Sequence, residues 1–284
     1  MNFRLRQRLA RLVADASIEV SPRDPFAGER LLELFAPGRT VFVNYPASVT
    51  HHDSVAACAR LRRAGFVPVP HVAARRLASF TQASDFLRRA REEAGVGSLL
   101  VVAGDPDRPA GPFRDSLDLL ASGVIERHGI AHVLFAGYPA GHPRIGSGAL
   151  ERALADKLAL ARERGLDAGL VTQFGFEPAP IRQWLASLPA RGIFCPVHIG
   201  MAGPASVAIL AKFAVRCGIG PSLRALARRH AAFARVLTEA TPDALIAAVF
   251  AEPLAGPPIA GLHLFAFGGV PHTALWMAPW RRAA

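Results

Sequence analysis

Apolar residues along this chain fall into two alternating rhythms. Short uninterrupted runs, such as Leu99-Leu100-Val101-Val102 and Leu170-Val171-Thr172, are separated by longer stretches with helical spacing. A parallel strand covered on both faces reads as a continuous apolar run. The second of these runs ends abruptly on Gln173-Phe174-Gly175-Phe176, as expected of a buried strand that surfaces at its carboxyl end. On this reading the strands cover residues 16–20, 40–44, 66–71, 97–103, 131–136, 168–173, 192–198 and 261–267. The third is an imperfect strand because it holds Pro68 and Pro70. Helical patterns cover 28–35, 52–64, 79–94, 116–128, 148–164, 181–188 and 206–217. Further helix spans 223–251, interrupted near Thr241-Pro242, and a basic helix, 1–14, opens the chain. Gly65 and Gly95 stand where a helix stop is needed. Eight strands, each followed by helix-like sequence, predict an α/β fold: a single (β/α)8 TIM barrel over residues 1–284, with extra helices before the eighth strand. No strand is followed by GxGxxG, which argues against a doubly wound dinucleotide fold.

Composition narrows the picture. A chain of 284 residues that is 51% hydrophobic can bury one barrel-sized core. It has no apolar run of about eighteen residues, so no membrane span is expected. The basic start is followed by too short an apolar stretch for a signal peptide, which makes a cytoplasmic location the expectation. Cys58, Cys195 and Cys217 lack any metal-ligand spacing and read as buried, reduced thiols. The net charge of +11 raises the question of a nucleic-acid partner. However, Lys157 and Lys212 are the only lysines among 33 basic residues, and the arginines come as scattered pairs: Arg62-Arg63, Arg75-Arg76, Arg88-Arg89 and Arg228-Arg229. Without interleaved aromatics these read as solvated faces, so no nucleic acid is expected; attraction of a polyanionic substrate is a secondary reading.

Chemistry should gather where the strands end, because barrel enzymes work at the carboxyl rim. There the sequence offers Glu19, Asn44 with Tyr45, His71, Gly104-Asp105, Tyr138 with His142, Gln173, the loop around Gly200, and Phe265. Each also has a plainer reading. Glu19 and Gln173 could be ordinary strand residues, Asp105 a turn residue before Pro106, and His71 a satisfied core histidine. Tyr138 and His142 could merely shape a loop rich in Pro and Gly. The histidines sit on different strands, and no metal site is expected. There is no nucleophile elbow or P-loop. An inventory of hydrogen-bonding and stacking groups suits flavin or pterin chemistry better.

Read in order, Ser17-Ile18-Glu19-Val20-Ser21-Pro22, Pro70-His71, Gly104-Asp105, Ala136-Gly137-Tyr138-Pro139-Ala140-Gly141-His142-Pro143, Thr172-Gln173-Phe174-Gly175-Phe176 and Gly261-Leu262-His263-Leu264-Phe265 resemble the methylenetetrahydrofolate reductase family over roughly residues 16–270. The resemblance implies a flavoprotein of one-carbon metabolism and methionine biosynthesis. Such an enzyme uses NADH or NADPH and FAD to interconvert 5,10-methylenetetrahydrofolate and 5-methyltetrahydrofolate. It implies that Glu19 is the acid that opens the methylene bridge, and that Asp105 holds the pterin and influences its charge. Gln173 and Phe265 would contact the folate. Asn44, His71, Gly104, Tyr138, His142 and Lys157 would grip the flavin. A homo-oligomer is compatible with the resemblance. Ala103, Val207 and Gly269 stand where the family pattern differs. They motivate a second expectation, a folate-binding, non-reductase partner subunit of a methyl-transfer system.

Overall fold

The apolar runs become strands because both of their faces are covered. In β4, Ser98–Val102, the side chains of Leu99, Leu100 and Val101 are all buried. The structure, a computed structural model, describes residues 3–217 and 239–284. Seven further strands join β4: β1 (Ser17–Val20), β2 (Thr40–Val43), β3 (Val67–Ala73), β5 (His132–Gly137), β6 (Asp167–Thr172), β7 (Val197–Ala202) and an eighth barrel strand, Ile259–Phe265. They close into a barrel in the order β1, eighth strand, β7, β6, β5, β4, β3, β2. The (β/α)8 architecture read from the sequence is therefore the observed one.

Helices α1 (Phe3–Ala14), α2 (His51–Arg63), α3 (Phe80–Ala94), α4 (Ser116–Ala121), α5 (Val124–Arg127), α6 (Ser147–Glu163), α7 (Pro178–Ser187) and α8 (Val207–Arg216) alternate with the strands. Two more, Asp243–Val249 and Val270–Ala283, flank the eighth strand. None of the described helices is long and apolar enough to cross a membrane. The chain divides into two compact units. One holds Met1–Ala16, Gly137–Glu151 and Val171–Ala284; the other holds Ser17–Ala136 and Arg152–Leu170.

In the second unit, helix boundaries follow their capping residues. Thr50 and Asp53 form a reciprocal capping box at the start of α2. Ser79 caps α3 and Gly95 ends it in the left-handed conformation. The stretch 28–35, expected as a helix, is a 3-10 turn over Glu29–Glu33. The helix expected over 116–128 is broken in two at Gly123, which takes a positive φ of 71°.

β3 is a full strand in spite of its prolines, and the register explains why. The Val67 N–H donates to the Arg39 carbonyl, toward β2. Parallel-strand N–H groups alternate sides, so positions 68 and 70 would donate toward β4. Pairing with β4 begins only at His71, opposite Leu100. Both prolines thus fall where no ladder bond is required.

In the first unit, α1 buries Leu9, Ala10 and Val13 and packs on the helix Val270–Ala283. The sequence reading of the seventh strand was displaced. Residues 192–196 are a connector: Gly192 closes a 3-10 turn at φ 70°, Phe194 is 64% exposed, and Pro196 has no N–H to give. The strand is Val197–Ala202: it keeps the last two residues of the expected strand and takes in 199–202, expected as a loop. Of the helix expected over 223–251, Asp243–Val249 is observed, and 223–238 lie outside the described residues.

Candidate functional site

In the unit Ser17–Ala136 with Arg152–Leu170, the register of three strands aligns the polar ends. Glu19 on β1 pairs with Phe42 on β2, and Phe42 pairs with Val69 on β3. Two residues further along, on the same face, stand Asn44 and His71. The Asn44 N–H continues the ladder past the end of β2 by donating to the Val20 carbonyl at 3.0 Å. This places the Asn44 side-chain amide against Glu19, where Nδ2 donates to Oε1 at 3.1 Å. The other carboxylate oxygen, Oε2, lies 3.4 Å from His71 Nε2. The Glu19 and His71 side chains are only 13% and 14% exposed. His71 is further held edge-on by Phe42, with ring centroids 6.1 Å apart. Asn44 Oδ1 is buried with no hydrogen-bond partner among the described residues. The result is a carboxylate fixed by an amide donor and faced by an imidazole, an arrangement suited to moving a proton.

Gly104-Asp105 follows β4 in the same unit. Gly104 has φ 95°, and a Cβ there would lie 3.0 Å from the Ala73 Cβ. Only glycine fits this bend without strain. It turns the exposed Asp105 outward from the strand end.

Lys157 does not stand with these groups. Its ammonium lies 5.3 Å from the centre of the Phe135 ring. Leu100 pairs with His71 on one side and Leu134 on the other, so Phe135 faces the opposite, helix-covered side of the sheet. Burial lowers the Lys157 pKa, and Asp115 partly opposes that shift.

In the other unit, Tyr138 and His142 meet edge to face with ring centroids 5.3 Å apart, and the Arg144 N–H donates to His142 Nδ1 at 3.2 Å. Burial, and after it Arg144, lower the His142 pKa. The Gln173 N–H donates to the Gly137 carbonyl at 2.8 Å, and its side-chain Nε2 donates to the Cys217 carbonyl at 2.9 Å. Gln173 Oε1 is buried without a hydrogen-bond partner among the described residues. Phe265 belongs to an aromatic cluster. Phe174 meets it edge-on at 5.7 Å and Phe267 stacks on it at 5.6 Å, while Phe213 stacks on Phe267 at 4.1 Å.

Several features were not read from the sequence. Gly200, expected in a loop, is a strand residue: its N–H donates to Thr172 Oγ1 at 2.8 Å, and a Cβ there would come within 2.0 Å of the Thr172 carbonyl oxygen. His198 and His263 occupy neighbouring strands. His198 is pushed down to about 4 by burial and then by His263. His51, His52 and Asp85 come together between α2 and α3 with possible ligand atoms within 4.8 Å of one another. Their rings and charges are already engaged: the two imidazoles meet at a tilt with centroids 3.9 Å apart, Arg88 donates to Asp85, and Arg89 contacts His52. The cluster ties α2 to α3. Adjacent polar residues at a helix start gave no sequence signal for a partner on the next helix.

No family model matches the chain. Among solved structures, it is similar to the dihydropyrimidinase of Brevibacillus agri, at 13% identity and a TM-score of 0.40, with 66% of this chain and 45% of that chain covered. The chain thus spans less than half of that protein.

Proposed function

We propose that the protein is a methylenetetrahydrofolate-reductase-like oxidoreductase that interconverts 5,10-methylenetetrahydrofolate and 5-methyltetrahydrofolate with NADH or NADPH and FAD. The observation that carries the reading is the Glu19 carboxyl group, held at Oε1 by Asn44 and facing His71 at Oε2. This acid stands at the end of β1, within the Ser17-Ile18-Glu19-Val20 motif on which the family resemblance rests.

One observation supports the fit of a flavin. Asn44 Oδ1 is a buried acceptor lacking a hydrogen-bond partner among the described residues, suited to a ring N–H. Lys157, expected among the flavin contacts, lies on the helix-covered side of β5 and takes no part in this reading. When bound, the flavin supplies the hydride chemistry.

The protein's own residues then do the rest. In its acid form Glu19 gives a proton from Oε2 to the bridging amine nitrogen of the folate. The methylene–nitrogen bond breaks, leaving an iminium on the pterin nitrogen. Asn44 keeps the carboxyl oriented, and His71 is the neighbouring base that can return the proton. Asp105 is proposed to hold the pterin.

The reading is tested by the absorption spectrum of purified protein titrated with FAD. A bound-flavin spectrum that bleaches with NADH or NADPH is expected. Folate binding without any flavin binding would favour the non-reductase partner subunit instead.

A further inference from the structure

Arg75 and Arg76 lie in the 3-10 turn Ala74–Arg76 that directly follows β3. Their pairing read as part of a solvated face, yet both are half-buried and turned toward the loops on either side. Arg76 reaches the loop after β2. Its Nη1 donates to the carbonyls of Tyr45 and Pro46, both at 2.6 Å, and its Nη2 to those of Val49 at 2.5 Å and Ala47 at 3.3 Å. The same guanidinium lies 3.9 Å over the Tyr45 ring. Arg75 reaches the loop after β4. Its N–H donates to the Ala103 carbonyl at 2.9 Å, Nε to Arg114 at 2.6 Å, and Nη1 to Pro106 at 3.2 Å. Its own carbonyl accepts from the Ala110 N–H at 2.8 Å.

These side-chain acceptors are backbone carbonyls. A guanidinium presents five N–H groups in a fixed planar fork, so it can hold several carbonyls of one loop at set angles; a lysine ammonium cannot. The clamped loops carry the polar strand ends. Asn44 immediately precedes Tyr45, Asp105 lies between Ala103 and Pro106, and His71 belongs to the strand that feeds the turn.

We infer that Arg75 and Arg76 are a pair of positioning residues, one rigid turn that sets Asn44 on one side and Gly104-Asp105 on the other relative to His71. Arg76 acts on Glu19 only through Asn44, and Arg75 acts through the bend at Gly104. What those strand ends do chemically rests on the reductase reading; that the two arginines place them does not.

Hydrogen exchange on the intact protein tests the clamp. Arg76→Ala should speed exchange at the hydrogen-bonded Asn44 and Val49 amides about tenfold or more, leaving the Ala110 and Arg114 amides unchanged; Arg75→Ala should do the reverse. Guanidinium ion at non-denaturing concentration should restore protection to Arg76→Ala. If that variant does not fold, Arg76→Lys decides, with a smaller acceleration confined to the same loop. In turnover, Arg76→Lys should lower kcat about tenfold with the KM for the nicotinamide unchanged. Unchanged exchange in both loops, or acceleration spread evenly over the barrel, overturns the clamp. Wild-type protein that binds no flavin overturns the reductase reading instead and leaves the exchange result standing.

Discussion

The Asn44 side-chain amide donates to the Glu19 carboxylate at 3.1 Å, from β2 to β1. Both side chains are partly shielded from water, and the amide is what lets the carboxylate stand there. Without it, a carboxyl group only 13% exposed would be left with a buried oxygen short of a hydrogen bond, which is expensive to leave unmade.

Replacing that amide by a second carboxylate tests the arrangement without reference to any reaction. In Asn44→Asp, two carboxyl groups share one site, and their repulsion should raise the pKa of one of them. The variant should be less stable than wild type by about 1–3 kcal/mol near pH 7. The raised acid costs most above its folded-state pKa, so the deficit should shrink as pH falls toward about 4. Urea denaturation at several pH values measures this, and a deficit that does not change with pH would contradict it.

The bend that carries Asp105 depends on Gly104. Gly104→Ala places a Cβ at φ 95° and 3.0 Å from Ala73 and should cost about 1–3 kcal/mol. Gly97→Ala is the control: a Cβ there meets nothing within 4 Å, and the change should lie within about 1 kcal/mol of neutral. Thermal unfolding of the pair gives the comparison.

Gly200→Ala should be far more damaging. The new Cβ would lie 2.0 Å from the Thr172 carbonyl oxygen and 2.8 Å from the Phe265 ring. The backbone oxygen cannot yield as a flexible side chain can, so the strand or the aromatic cluster must move. A loss of about 3 kcal/mol or more, or failure to accumulate folded protein, is expected. Near-UV circular dichroism reads the cluster directly.

His198 gives the fold a pH dependence of its own. Its folded-state value of about 4, set first by burial and then by His263, lies below the usual histidine value near 6.5. A depressed base stabilises the fold fully above about pH 6.5, and that contribution is lost as pH falls toward about 4. The loss is at most about 3 kcal/mol, less what water at the half-buried ring screens. His198→Gln should lose correspondingly less stability over this window, as followed by denaturant midpoints. Parallel losses in the two proteins would assign the pH dependence to other groups.

The barrel was legible because apolar runs such as Leu99–Val101 report strands buried on both faces, and capping residues such as Ser79 and Gly95 report helix ends. The seventh strand was misread because Ile193 and Phe194 look strand-like in isolation. The cue that counted was Pro196, which cannot donate to a ladder. The candidate site was legible one residue at a time, since Glu19, Asn44 and His71 each stand out against apolar neighbours. Their mutual contact depends on register, which no local pattern encodes. The same limit hid the roles of Arg75 and Arg76. An arginine that binds carbonyls of a distant loop looks, in sequence, like one facing solvent. Lys157 shows the converse: its place in a helix expected to supply flavin contacts said nothing of its lying on the helix-covered side of β5.

The central claim is that Glu19 delivers the proton that opens the folate bridge. The most direct measurement is a pair of rapid-mixing half-reactions on Glu19→Gln loaded with FAD. Reduction of the flavin by NADH or NADPH should proceed at close to the wild-type rate. Reoxidation by 5,10-methylenetetrahydrofolate should fall by about 100-fold or more, the usual scale for losing a general acid. Wild-type rates in both half-reactions would contradict the account.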